Sequence, residues 1–489
     1  MMLKRHHLLG WLFLCSLIFN LVINQIFITD GSMELAAARS LVKTASVLSK
    51  VNTKNDIQPA SGNLKENRGD VCIDQINSQS DNQGIGENFR RQSIGNKLSL
   101  VAENIRYTSN NLNSAIADIG DLQMIEIEKY YGRNCHFLAN SQRTDLSLSK
   151  TNTAIFHSII LEERTAIIVS FPRDNQRLKL QWINVNSQAF REEVNQFRIS
   201  LENYANITYN PQQAQKLYNW IIRPFINDLE SLQIKTLVFI QDGILRSVPM
   251  AALHDGEKFL VEKYAIATTP SLNVTNLQTS RQKKARALAV GLTKDAIIDG
   301  RRFHALKNVR AEINQVKMQI PGSKQLLDED FTRDRLQSEL SQNFYPIIHI
   351  ATHGQFGELP NDTFLVTGDN QKLTISELDR ILRSIYNYYK YIDLLVLTAC
   401  ETAIGNDRAA LGLAGVAVQA GVKTALASLW SINDASTVKL VTKFYEAWYH
   451  SGVSKAEALR IAQRSLIASD GVSSHPAYWA AFILVGNWL

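Results

Sequence analysis

Two near-continuous apolar runs, FYPIIHIA at 344–351 and YIDLLVLTA at 391–399, constrain this chain most. A strand with one wet face alternates apolar and polar residues, whereas a strand apolar throughout is buried on both faces. TLVFIQ (236–241), RALAVGL (286–292), TALASLW (424–430) and AAFILVG (480–486) have the same character. Helical patterns at 308–320, 411–419, 435–449 and 455–467 separate several of these runs. Strands alternating with helices predict an α/β fold built on a mostly parallel sheet flanked by helices. Ahead of it, TAIFHSIIL and TAIIVSF read as a hairpin turned by EERT, and RLKLQWINV as a third strand. Two amphipathic helices are expected over 189–232, with Pro224 as a kink. No period of a repeat array is legible.

In an open α/β sheet, chemistry gathers beyond the carboxyl ends of the strands. FYPIIHIA runs into Thr352-His353-Gly354, and YIDLLVLTA runs directly into Cys400. Cys400 follows His353 by 47 positions, and neighbouring parallel strands would bring the two together. A thiol needs an imidazole beside it to become a thiolate and to protonate a leaving amine. Gly354, with no Cβ, lets backbone approach a substrate; its N–H and that of Cys400 are candidate donors to an oxyanion. His349, inside the strand, reads as a core histidine, and Glu401 as a solvated loop acid. Gly405, Gly412, Gly415 and Gly421 lack the GxxxxGK[ST] arrangement of a phosphate loop and fit close helix packing better. Trp430, Phe444, Tyr445 and Trp448 fall at core spacing.

IHIATHGQF, LLVLTACETAIG and GLAGVAVQAGVKTALASLWSINDASTVKLVTKFYEAW, in that order, resemble the CHAT domain of bacterial caspase-like proteins. That clan also holds caspases, metacaspases and separase. LVFIQDGILRSVPMAALHDGEKFLVEKYAIATTPSL is similar to the family's opening segment, HPAYWAAFILVGNW to its closing strand, and IEKYYGRN at 127–134 to the stretch preceding it. The likeness spans roughly 127–489, with the catalytic half at 344–489. It implies a caspase-type sheet and endopeptidase cleavage through a thioester, with His353 as base and Cys400 as nucleophile. It implies no metal or organic cofactor. It also implies an activating protein partner or self-cleavage. Tetratricopeptide repeats commonly accompany the domain, and none is legible here. Relatives with basic specificity carry an acidic residue in the loop after the LW strand, which makes Asp434 a candidate receptor for Arg or Lys. Asp434 is equally placed to cap the helix that follows, and the two roles are compatible.

At 489 residues the chain is too long for one small core. Its net charge of +6, with no dense basic stripe, does not point to nucleic acid. Cys15, Cys72, Cys135 and Cys400 form no CxxC pair, so zinc and redox spacings are missing; Cys72 and Cys135 could pair in an exported chain. Lys4 and Arg5 precede an apolar run over 8–27, the layout of a secretory signal or N-terminal anchor. Residues 1–31 are therefore expected to export or anchor the chain on the periplasmic side, the only membrane contact foreseen; a cytoplasmic location stays open. Residues 32–126 read as a helical and polar region, with Asn, Gln, Ser, Asp and Gly dominating 51–95.

The expected function is a cysteine endopeptidase acting on protein substrates, with cleavage after Arg or Lys. The alternative is a silent regulatory or interaction scaffold on the same fold. The chain has neither GxSxG nor HExxH, which disfavours a serine hydrolase and a zinc protease.

Overall fold

The computed structural model describes Leu112, Ile116, Gly120, Gly357 and residues 151–172, 178–203, 208–278, 285–355, 362–389, 391–398, 421–430 and 434–489. They all belong to one compact unit, Ser78–Leu489. The apolar N-terminal run, the polar stretch 51–95, the helix expected at 411–419 and all four cysteines lie outside the described residues. Among the described residues, no helix is long and apolar enough to cross a membrane.

Among the described residues, sixteen strands follow in chain order: β1 Thr153–Ile160, β2 Thr165–Ser170, β3 Leu178–Ile183, β4 Thr236–Ile240, β5 Ala265–Thr268, β6 Ala287–Gly291, β7 Ala296–Ile298, β8 Arg301–Phe303, β9 Lys324–Leu327, β10 Ile347–Ala351, β11 Gly354–Gln355, β12 Phe364–Val366, β13 Lys372–Thr374, β14 Ile392–Leu397, β15 Val422–Ser428 and β16 Phe482–Gly486. Eleven of them form one sheet in the order β3-β2-β1-β4-β5-β16-β15-β14-β10-β6-β9. The pairs from β1 through β4 and β5 to β16, and from β15 through β14, β10 and β6 to β9, are parallel. The hairpins β1–β2–β3 and the β15–β16 pair are antiparallel. The sheet is thus mostly parallel, with the predicted hairpin at one edge.

Every residue of β10 and β15 is buried, as the unbroken apolar runs require. Helices Val309–Gln319, Asp434–Tyr445 and Lys455–Ile467 press on one face through Val316, Leu440, Phe444 and Leu459. Helices Arg333–Gln342 and Ile375–Tyr389 cover the other through Leu336, Leu340, Leu378 and Leu382. The edge strands are closed differently: Leu112 and Ile116 lie on Ile159, Ile168, Leu180 and Trp182. At Gly291, the last residue of β6, a Cβ would come within 2.6 Å of Val309, so that helix can settle on the strand only because the side chain is absent.

The two helices expected over 189–232 are Ser187–Glu202 and Gln212–Ile221, with Pro224 in a short turn before helix Ile226–Ser231. Helix Asp434–Tyr445 begins one residue earlier than expected and continues as a wider turn over Glu446–His450. Gly421 departs from the helix-packing reading: at φ +70° it makes the left-handed turn into β15.

Candidate active site

Strands β10 and β14 pair in parallel, with Ile347 opposite Leu394 and Ile350 opposite Leu397. That offset is the same 47 positions that separate His353 from Cys400. The pairing continues to Thr398, whose N–H donates to the Ile350 carbonyl at 3.1 Å. Cys400 itself lies outside the described residues.

Past β10 the chain is clamped by β12. The Thr352 hydroxyl, fully buried, donates to the Val366 carbonyl at 2.6 Å. The Val366 N–H in turn donates to the His353 carbonyl at 2.8 Å. Since 353 and 366 are the hydrogen-bonded pair of this antiparallel ladder, Gly354 and Leu365 form the next, non-bonded pair. The Gly354 N–H therefore faces away from β12.

The His353 ring is half-buried and packs on Phe303, centroids 5.3 Å apart. Its Nε2 lies 2.6 Å from the carbonyl oxygen of His304. A carbonyl can only accept, so Nε2 carries the hydrogen and Nδ1 of the neutral ring is left to take a proton. Nothing in the sequence marks this contact, because any residue at 304 offers the same carbonyl.

The β7–β8 hairpin that carries His304 is itself fixed. Ala296, Ile298 and Phe303 bury against Leu292, Phe364 and Val366. The Asp295 carboxylate accepts from the Ala305 N–H at 2.6 Å and from Arg302 at 2.9 Å, and Arg302 holds it below the usual carboxylate range. Behind it Asp328, buried and at φ +53°, accepts from the Thr293 N–H at 2.7 Å, the Thr293 hydroxyl at 2.8 Å and Arg310 at 3.1 Å. A Cβ at Gly368 would collide with the Asp328 carbonyl, so the β12–β13 turn can reach this anchor only with glycine there. The Asp328 carboxylate thus ties the loop after β6 to helix Val309–Gln319, while its backbone carbonyl meets the β12–β13 turn at Gly368.

His349 is the core histidine the sequence suggested. Fully buried, it meets Glu312 through Nε2 at 2.9 Å and the Tyr445 hydroxyl through Nδ1 at 3.2 Å. Burial, and then the charge of Glu312, push the Tyr445 hydroxyl well above its ordinary value, so it stays a donor. The network joins β10 to the helices Val309–Gln319 and Asp434–Tyr445.

Asp434 is the first residue of its helix rather than the residue before it, and its side chain lies outside the described residues. The segments around it are anchored: the Trp430 indole donates to the Ala477 carbonyl at 3.0 Å, and Ser436 meets Ser473 at 3.3 Å. The Arg198 guanidinium, donating to the Ser247 carbonyl at 2.6 Å, lies over the Trp430 ring at 5.0 Å. Trp430, Phe444 and Tyr445 are buried core residues, as their spacing indicated.

A family model described as CHAT domain matches residues 211–487. Among curated proteins, the chain is similar to tetratricopeptide repeat protein 28 of Homo sapiens, 21% identical over 300 residues. That alignment covers 52% of this chain and 12% of the relative, so the chain spans a small part of the protein it matches. Among solved structures it is similar to a Saccharomyces cerevisiae separase–securin complex, with TM-score 0.46 and 11% identity over 79% of this chain and 34% of that one. It is also similar to the Arg specific cysteine proteinase gingipain R, with TM-score 0.36 and 7% identity over 62% of this chain and 74% of that one.

Proposed function

We propose that this chain, which belongs to the CHAT domain family, is a cysteine-type endopeptidase with Cys400 as nucleophile and His353 as general base. The observation that carries the reading is the hydrogen bond from His353 Nε2 to the His304 carbonyl. It fixes the tautomer in which Nδ1 is the proton acceptor, at the end of a strand whose ladder offset equals the spacing of the two residues.

In the proposed cycle the Cys400 thiol gives its proton to Nδ1, and the thiolate attacks the scissile carbonyl. The Gly354 N–H, turned away from β12, and the Cys400 N–H receive the oxyanion. The imidazolium then protonates the leaving amine, the C–N bond breaks, and a thioester remains. Water, deprotonated by Nδ1, attacks that thioester and releases the acid and the free thiol. The His304 carbonyl keeps its hydrogen bond throughout and stabilises the ring most when it is charged.

Asp434 is proposed to receive an Arg or Lys side chain before the scissile bond, which a bidentate carboxylate–guanidinium pair would favour. Protein substrates and an activating protein partner follow from the same reading. Residues 1–31 are proposed to export the chain or hold it at a membrane, which a C-terminal reporter active on one side only would decide.

The test of function is a peptide panel varying the residue before the cleaved bond, run on the full chain with Cys400→Ala in parallel. Cleavage after Arg or Lys that disappears in Cys400→Ala is expected. Undiminished cleavage by Cys400→Ala would refute the mechanism. No cleavage together with no labelling of Cys400 by a thiol-directed electrophile would favour a scaffold.

A further inference from the structure

We infer that the side-chain amide of Gln355 holds the departing segment of the substrate by donating to its backbone carbonyls, an assignment that rests on the endopeptidase reading above. Two successive contacts join the chain past β10 to β8. His353 packs on Phe303, ring centroids 5.3 Å apart, and the Gln355 side chain meets Arg301 at 3.2 Å. Residues two apart along a strand share a face, so His353 and Gln355 point to one side, as Phe303 and Arg301 do. The base and the amide are therefore neighbours on one surface, about 7 Å apart along the strand.

The contact to Arg301 also settles which way the amide faces. A guanidinium can only donate, so Oε1 of Gln355 is turned to Arg301 and Nε2 is turned away with both its N–H groups. Arg301 lies over the Phe303 ring at 5.0 Å, which holds the acceptor end of the amide in place. Among the described residues Nε2 has no hydrogen-bond partner, and the side chain is only half-buried. The strands that lead to Asp434 and Cys400, β15 and β14, lie on one side of β10. β6, which leads to the β7–β8 hairpin, lies on the other. Histidine protonates the departing amine, so the departing segment starts at His353 and runs toward the hairpin, past Gln355. Its backbone offers a carbonyl at every residue whatever the sequence. The short strand β11 then grips both sides of the cleaved bond, Gly354 at the oxyanion and Gln355 beyond it. The matching substrate is a polypeptide that continues past the cleaved bond, rather than one with a particular side chain there.

The experiment compares a peptide with an analogue in which alkene isosteres replace the backbone carbonyls of the first two residues after the cleaved bond. On the full chain, kcat/KM for the natural peptide is expected to be about fivefold to tenfold higher, the worth of one hydrogen bond. Gln355→Met, which has no donor, and Gln355→Glu, which can still accept from Arg301, should both bring that ratio close to one. Gln355→Asn should keep part of it. The same peptides are titrated against Cys400→Ala, with and without Gln355→Met, so that binding is read without turnover. Tighter binding of the natural peptide that Gln355→Met removes supports the assignment even if no peptide is cut, which would count against the endopeptidase alone. An equal fall on both peptides, or no difference between them in either assay, overturns it.

Discussion

His353 and His304 are joined side chain to backbone: the imidazole Nε2–H donates to the carbonyl oxygen of His304 at 2.6 Å. The imidazole is thereby oriented by a peptide group that carries no signature in the sequence and whose position depends on the β7–β8 hairpin. Asp295 secures that same peptide group through the Ala305 N–H.

Asp295→Ala should therefore weaken catalysis from outside the site. The expected result is a fall in kcat of roughly 10-fold to 100-fold with KM nearly unchanged, since a small displacement of a positioned base is costly. The pH–rate profile of the variant should shift, because the ring regains access to the other tautomer. An unchanged kcat and profile would show that the hairpin does not hold the base.

His353→Gln removes the proton acceptor and leaves a half-buried position that tolerates a polar side chain. Peptide cleavage should fall by about 10²- to 10⁴-fold, while the thermal midpoint stays close to that of the parent. Kinetics and a melting curve on the same preparation check both halves of the statement.

His157 lies in β1, buried, and among the described residues neither ring nitrogen has a hydrogen-bond partner. Burial lowers its pKa from 6.5 to about 4. The unfolded chain then binds the proton more readily than the folded one, so stability is lost as pH falls from 6.5 toward 4. Unfolding in urea should show a loss of about 2 kcal/mol between pH 7 and pH 5 from this group. His157→Leu should flatten that slope, and identical slopes for the two proteins would remove His157 as its source.

Lys455 is buried at the opposite end of the sheet, its ammonium 3.2 Å from Asp393 and 3.2 Å from the Leu489 carbonyl. Burial pushes its pKa down while Asp393 opposes that. Asp393→Ala strands the charge and should cost about 3–5 kcal/mol of folding stability. Adding Lys455→Met should recover most of the loss, which denaturant midpoints of the two variants will show.

The long elements were legible because their burial leaves a pattern. β10, β14 and β15 are apolar runs, and helix Lys455–Ile467 has an amphipathic period. The elements that shape the surroundings of His353 were not. β7, β8, β11, β12 and β13 have two or three residues each, too few for alternation to register. β8 is simply RRF, whose one buried side chain is Phe303. Helix Ile375–Tyr389 did leave a readable sign: Thr374 and Glu377 cap it reciprocally, with the Thr374 N–H on Glu377 at 2.9 Å and the Glu377 N–H on Thr374 at 3.3 Å. The pairing of His353 with Cys400 was inferred from strand ends, and Cys400 lies outside the described residues. Asp328, which braces the loops around His353, carries no mark in the sequence, because the carbonyl contact of Gly368 and the left-handed backbone are tertiary facts.

The place of β16 has a consequence for how the molecule is made. It is the last of the described strands in sequence, yet it lies in the middle of the sheet, parallel to β5 on one side and antiparallel to β15 on the other. Until residues 482–486 leave the ribosome, β1–β5 and the group β6, β9, β10, β14 and β15 have no strand between them. During synthesis the two part-sheets have no shared strand until β16 follows them and closes the seam. A chain made only as far as β15 cannot complete the sheet that supports His353. Closure by β16 makes the surroundings of His353 depend on a segment more than a hundred residues further along the chain.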